Sequence, residues 1–104
     1  MNKIKFTHEY DKLNHALFPT IRRYDRYTLG AIYEIHTPFR IFEARLLLKI
    51  KMMLINIPTW FLCYDTETKV RYDAIKLLNS FYRKDIKDYE EMIILFLERC
   101  DNYE

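Results

Sequence analysis

Apolar positions alternate most clearly between Ile41 and Met52. The even positions are Phe42, Ala44, Leu46, Leu48, Ile50 and Met52, while Glu43, Arg45, Lys49 and Lys51 stand at odd ones. Alternation over twelve residues predicts a long strand with one buried face, of the length found in curled, barrel-like sheets. A helix would scatter those charges around every side. Ile4 and Phe6 alternate with Lys3, Lys5 and Thr7, which predicts a short strand. Thr7-His8-Glu9-Tyr10 reads as a capped opening for a helix over Asp11–Phe18, with Tyr10, Leu13 and Leu17 on one face and Pro19 as its stop.

The remaining elements follow in the same way. Gly30 marks a turn needing positive φ, and Ala31–Thr37 is a strand joined to the long one by Pro38-Phe39-Arg40. Pro58 and Trp60-Phe61-Leu62 predict a short helical turn in a crossover, and Asp65-Thr66-Glu67-Thr68 offers N-caps for the next helix. Val70, Ala74, Leu77, Leu78 and Phe81 recur at helical spacing and give that helix an apolar face. Met92–Leu97 is apolar at every position, the pattern of a central strand buried on both sides. The order predicts a small α+β domain around a mixed sheet or barrel. No repeat or Gly/Ser linker divides residues 1–104, which read as one domain.

Composition narrows the classes. The chain is 50% hydrophobic and 31% charged, the balance of a folded globular domain. Two cysteines exclude a disulfide framework and a four-cysteine zinc site, and leave a Cys63–Cys100 bridge open. One glycine excludes the glycine-rich phosphate loops. No apolar run has the length of a membrane helix, and the N-terminus lacks the apolar core of a signal peptide, so cytoplasmic residence without membrane attachment is expected. The absence of glutamine and the abundance of Ile, Lys, Tyr and Glu fit an AT-rich genome, archaeal or viral in kind.

The net charge of +2 conceals a polarity. Seven basic residues face three acidic ones between Arg22 and Lys51, whereas two basic residues face seven acidic ones from Asp85 to Glu104. Screening confines each charge to about 10 Å, so local sign governs attraction of phosphate. The two regions could equally neutralise each other on the surface.

The densest candidate chemistry is Thr20-Ile21-Arg22-Arg23-Tyr24-Asp25-Arg26-Tyr27, between Pro19 and Gly30. Its three arginines suit phosphate and its two tyrosines offer stacking faces, unless Asp25 simply neutralises an arginine in a surface turn. Phe81-Tyr82-Arg83-Lys84 is a second cluster, in which Phe81 reads as core and Tyr82 as a surface contact. Its cations also suit a helix C-terminus. His8, His15 and His36 lack metal-ligand spacing, so neither a metal nor a cofactor is expected. Ser80 lies within a helix, Cys63 reads as a small hydrophobe, and Asp65 and Glu67 flank a helix start where carboxylates cap.

Phe6, the helical segment, Thr20-Ile21-Arg22 and Tyr27-Thr28-Leu29-Gly30-Ala31-Ile32-Tyr33-Glu34-Ile35 fall in an order that resembles the ASCH domain family. The long strand, the helical crossover and the final strand also follow family order, so the resemblance spans nearly the whole chain. It implies a small PUA-like barrel of five to six strands with two or three helices. It further implies a cleft, lined by Thr20 and Arg22, that engages RNA or a modified nucleoside. Family members described as amidohydrolases of N4-acetylcytidine use the threonine as nucleophile, with a lysine three residues earlier and a downstream glutamate. Leu17 occupies that lysine position here, Lys12 lies further upstream, and Glu67 is the candidate glutamate.

The expectation is therefore a non-enzymatic module for RNA or single-stranded nucleic acid. Arg22, Arg23, Arg26 and Arg83 would contact phosphates, and Tyr24, Tyr27 and Tyr82 would stack. The alternative is a hydrolase of RNA or a modified nucleoside using Thr20 with Asp65 or Glu67. A third reading is an interaction module, its nine Tyr, seven Phe and one Trp covering a partner or a homodimer interface.

Overall fold

A computed structural model describes residues 2–100. Met1 and residues 101–104 lie outside it, including Asp101 and Glu104 of the acidic C-terminal stretch. The described residues form an α+β domain with five strands, β1 (Lys3–Lys5), β2 (Leu17–Arg22), β3 (Ile32–His36), β4 (Ile41–Met53) and β5 (Glu91–Arg99), and two α-helices, α1 (Thr59–Thr66) and α2 (Arg71–Tyr82). The strands form one mixed sheet in the order β1-β3-β4-β5-β2, antiparallel except for β1 with β3.

β5 lies between β4 and β2 and is apolar on both faces, as its sequence predicts. Ile93, Leu95 and Leu97 enter one core with Ile4, Phe18, Tyr33, Ile35, Phe42, Ala44 and Leu46. Met92 and Ile94 enter a second, beneath the helices, with Ile21, Leu54, Leu62, Ala74 and Leu78.

The segment read as a helix over Asp11–Phe18 is a single 3₁₀ turn, Asp11–Asn14, followed by β2. Tyr10 and Leu13 are buried because i, i+3 neighbours share a side in a 3₁₀ turn as well, whereas Leu17 is exposed. Pro19 does not stop a helix. It sits within β2, opposite Phe96, on an edge strand where a missing N–H need cost no ladder bond.

β4 departs from the single buried face that its alternation predicts. Leu46 pairs with Leu97 but Leu48 pairs with Phe96, so Leu47 is an extra residue. With a side-chain period of two, one inserted residue exchanges the faces. Phe42, Ala44 and Leu46 fill the first core, while Ile50 and Met52 pack against the second. Lys49 and Lys51 are thereby turned to the first face, where both reach Asp25.

The Asp65–Thr68 segment closes α1 instead of opening α2, whose N-cap is Val70. Glu67 adopts the left-handed conformation (φ +56°), so that the Thr68 N–H reaches back to Cys63 O. Arg71 fastens the crossover by donating to the carbonyls of Leu54 and Ile57.

The sheet is strongly curled and is not closed. Flat, its outer strands β1 and β2 would stand roughly 19 Å apart, at about 4.8 Å per strand spacing. Instead the Arg22 guanidinium of β2 donates to the carbonyl of Lys5 in β1 at 3.1 Å, and the Phe6 and Phe18 rings meet at 6.4 Å.

Candidate functional site

The curl leaves an open cavity of about 390 Å³ where the β1–β2 gap meets the end of α2. That lies within the roughly 300–1,000 Å³ usual for small-molecule sites. β2 supplies Thr20 and Arg22, which share the first-core face with Phe18 because strand side chains alternate. The segment after β1 supplies Phe6, Thr7, Tyr10 and Lys12, α1 supplies Asp65 and Thr66, and the end of α2 supplies Phe81, Tyr82 and Arg83.

Lys12 and Asp65 form the most buried ion pair among the described residues. Lys12 is 2% exposed and Asp65 5%, and the ammonium donates to Asp65 Oδ1 at 2.5 Å and to the Asp65 carbonyl at 3.0 Å. The rings of Phe6 and Tyr10 flank it at 5.3 and 5.2 Å. Burial pushes the Lys12 ammonium below the usual lysine range despite the opposing pull of Asp65. Burial also raises the Tyr10 phenol to about 12, helped by the negative charge of Asp65 and Glu67.

Arg22 is anchored. Its Nε–H donates to Thr20 Oγ1 at 3.0 Å, its terminal nitrogen holds Lys5 O, and its plane lies over Phe6 at 4.8 Å. It therefore clasps the two edges of the sheet as well as lining the cavity. Tyr82 is half-buried, and its hydroxyl accepts the backbone N–H of Arg23 at 3.1 Å. Burial holds its phenol above the usual range. Arg83 ends α2 in the left-handed conformation (φ +51°) with its side chain exposed. The lining carries four cations, Lys5, Lys12, Arg22 and Arg83, against one carboxylate, Asp65.

The structure thus brings together Thr20, Arg22, Tyr82, Arg83 and Asp65 among the residues singled out from the sequence. Arg23, Tyr24 and Arg26 lie outside the cavity beside Tyr82, and Tyr27 turns to the first core, where its ring meets Tyr33 at 5.8 Å. Glu67 is not in the lining; its carboxylate accepts the Asp11 N–H. Phe81, expected in the core, is 39% exposed at the cavity wall. Asp25 binds Lys49 and Lys51, not an arginine, and of the basic middle region Arg23 reaches the acidic end through Glu90. Glu90 also accepts from Lys84, which holds its carboxyl below the ordinary range.

Lys12, read from the sequence only as an upstream lysine, and Tyr10, read on a helical face, are lining residues that the sequence did not bring to the cavity. Their signal was a lysine set between the apolar Tyr10 and Leu13, a position that burial makes costly without a partner. Leu17, three residues before Thr20, is exposed and lies on the face of β2 opposite to Thr20. A second hollow, lined by Leu17, Pro19, Trp60, Phe61, Tyr64 and Phe96, is almost wholly apolar. Among the described residues, no group of three or more His, Cys, Asp or Glu is placed to hold a metal ion, and no helix is long and apolar enough to cross a membrane. No family model, curated protein or solved structure matches the chain.

Proposed function

We propose that the chain is a small RNA-binding domain of the PUA-like, ASCH kind, and that its cavity receives one nucleoside of RNA or of another single-stranded nucleic acid. One observation carries this reading: Thr20, Arg22, Tyr82 and Arg83, drawn from two distant parts of the sequence, line one open cavity with a cationic excess. Tyr82 and the exposed Phe81 offer ring surfaces to a base, and Arg22 and Arg83 offer charge to the flanking phosphates. The curl of the sheet, with Arg22 spanning its outer strands, supports the barrel-like reading of the fold.

Titration with single-stranded RNA across a salt series tests it. Thr7→Trp fills the mouth of the cavity from an exposed position, and is expected to weaken binding about tenfold or more. Arg83→Gly removes a cation while keeping a residue that tolerates the left-handed cap, and should lower the salt slope by about 0.7. Affinity and slope equal to wild type in both variants would overturn the proposal.

A second reading, a hydrolase of RNA or a modified nucleoside, is favoured by the placement of Lys12. The 3₁₀ turn carries it into the cavity that Thr20 lines, and burial loosens its hold on its proton, the direction that favours proton exchange with a nucleophilic hydroxyl. Asp65, not Glu67, is the carboxylate at hand. Incubation with labelled RNA and with acetylated cytidine tests this reading: it expects turnover that Thr20→Val abolishes, and a folded, RNA-binding chain without turnover would end it.

A further inference from the structure

The loop after β2 carries a feature that the pocket does not use. Tyr24 is half exposed, and its ring meets the Tyr82 ring edge-on with centroids 6.3 Å apart. Tyr82 is a wall of the cavity, so Tyr24 stands one ring outside it. Two guanidiniums flank Tyr24, Arg23 at 5.2 Å and Arg26 at 5.3 Å from its centroid.

These two cations are held differently. Arg23 donates to Tyr24 Oη at 3.0 Å and to Glu90 at 3.4 Å, and is only partly exposed. Arg26 is exposed and has no carboxylate partner among the described residues, because Lys49 and Lys51 take the adjacent Asp25. Its contact with the ring is the weak kind that an exposed cation exchanges readily for phosphate.

We infer that Tyr24, with Arg23 and Arg26, is a second nucleotide subsite, so that the ligand is a strand of two or more nucleotides and not a free nucleoside. This rests on the pocket reading above. The nucleotide next to the pocketed one stacks on the Tyr24 face that Arg26 covers in the free chain. Arg26 then passes to the phosphate joining the two, while Arg23, tethered to Glu90, keeps the ring in place.

Wild-type chain is titrated with each ribonucleoside monophosphate and with the dinucleotide of the same base. The dinucleotide is expected to bind about tenfold tighter, the worth of one base–aromatic stack. In Tyr24→Ala the ratio of the two affinities should fall towards one, and Tyr24→Phe should restore it. Arg26→Ala should lower the salt slope of dinucleotide binding by about 0.7. Equal binding of monophosphate and dinucleotide by wild type, or a ratio that survives in Tyr24→Ala, overturns the subsite and leaves the pocket reading standing. Failure of wild type to bind either probe overturns both.

Discussion

Asp65→Asn removes one charge from the most buried ion pair among the described residues and keeps its shape. The ammonium of Lys12 would retain the Asp65 main-chain carbonyl at 3.0 Å and the rings of Phe6 and Tyr10, but lose the carboxylate at 2.5 Å. Ring contacts offset about 0.5–2 kcal/mol of such a loss. Stranding a buried charge costs about 3–5 kcal/mol. A net fall of about 1–4 kcal/mol is therefore expected, a sizeable part of the roughly 5–15 kcal/mol that stabilises an ordinary domain. Urea unfolding followed by circular dichroism measures it. Lys12→Met combined with Asp65→Leu should recover most of the loss, because an apolar pair avoids desolvating two charges. Proton linkage gives an independent check. Lys12 holds its proton less tightly in the native state than its ordinary value of about 10.4 implies, so between the two values the unfolded chain binds more protons. In that interval wild-type stability should rise with pH relative to Lys12→Met. An Asp65→Asn stability within about 0.5 kcal/mol of wild type, with the same pH slope in wild type and Lys12→Met, would refute the claim that this pair is a buried ion pair.

Tyr10 acts in the opposite sense. Its phenol titrates at about 12 in the native chain, so stability should fall as pH climbs from 10 through 12, an effect that Tyr10→Phe should remove and phenolate absorbance should track. Deleting Leu47 should abolish cooperative folding, since it would return one half of β4 to the wrong face. Leu47→Ala, at a residue 47% exposed, should shift stability by no more than about 0.5 kcal/mol, and thermal melts of both variants compare them. Gly30→Ala should cost about 1 kcal/mol in chemical denaturation from backbone conformation alone, because φ is +82° and the added carbon would meet no atom within 4 Å.

What could be read from the sequence was whatever local pattern determines. β5 was legible because burial on both faces leaves an uninterrupted apolar run, and α2 because Ala74 and Leu78 recur at helical spacing. The bulge in β4 was not legible. An extra residue is extra only against the partner strand, so the alternation of Phe42 through Met52 continues across it while the faces exchange. Pro19 misled for a related reason: its missing N–H ends a helix but is tolerated at a sheet edge, and only the pairing of β2 with β5 tells the two apart.

That one element decided how much of the site was visible. As a helix, Asp11–Phe18 would hold Lys12 roughly 10 Å along its axis from the Thr20 segment, at about 1.5 Å per residue. With a 3₁₀ turn and a strand in its place, the chain turns back after Asn14, and Lys12 and Thr20 face one cavity. Thr20, Arg22 and Tyr82 stand out in the sequence because their chemistry shows in their residue types. Lys12 stands out only as an upstream lysine, because its pairing is with a residue fifty-three positions away that meets it only once α1 is docked. The ammonium in this cavity comes from the 3₁₀ turn, whereas Leu17, three residues before Thr20, is turned by strand alternation to the other face of β2.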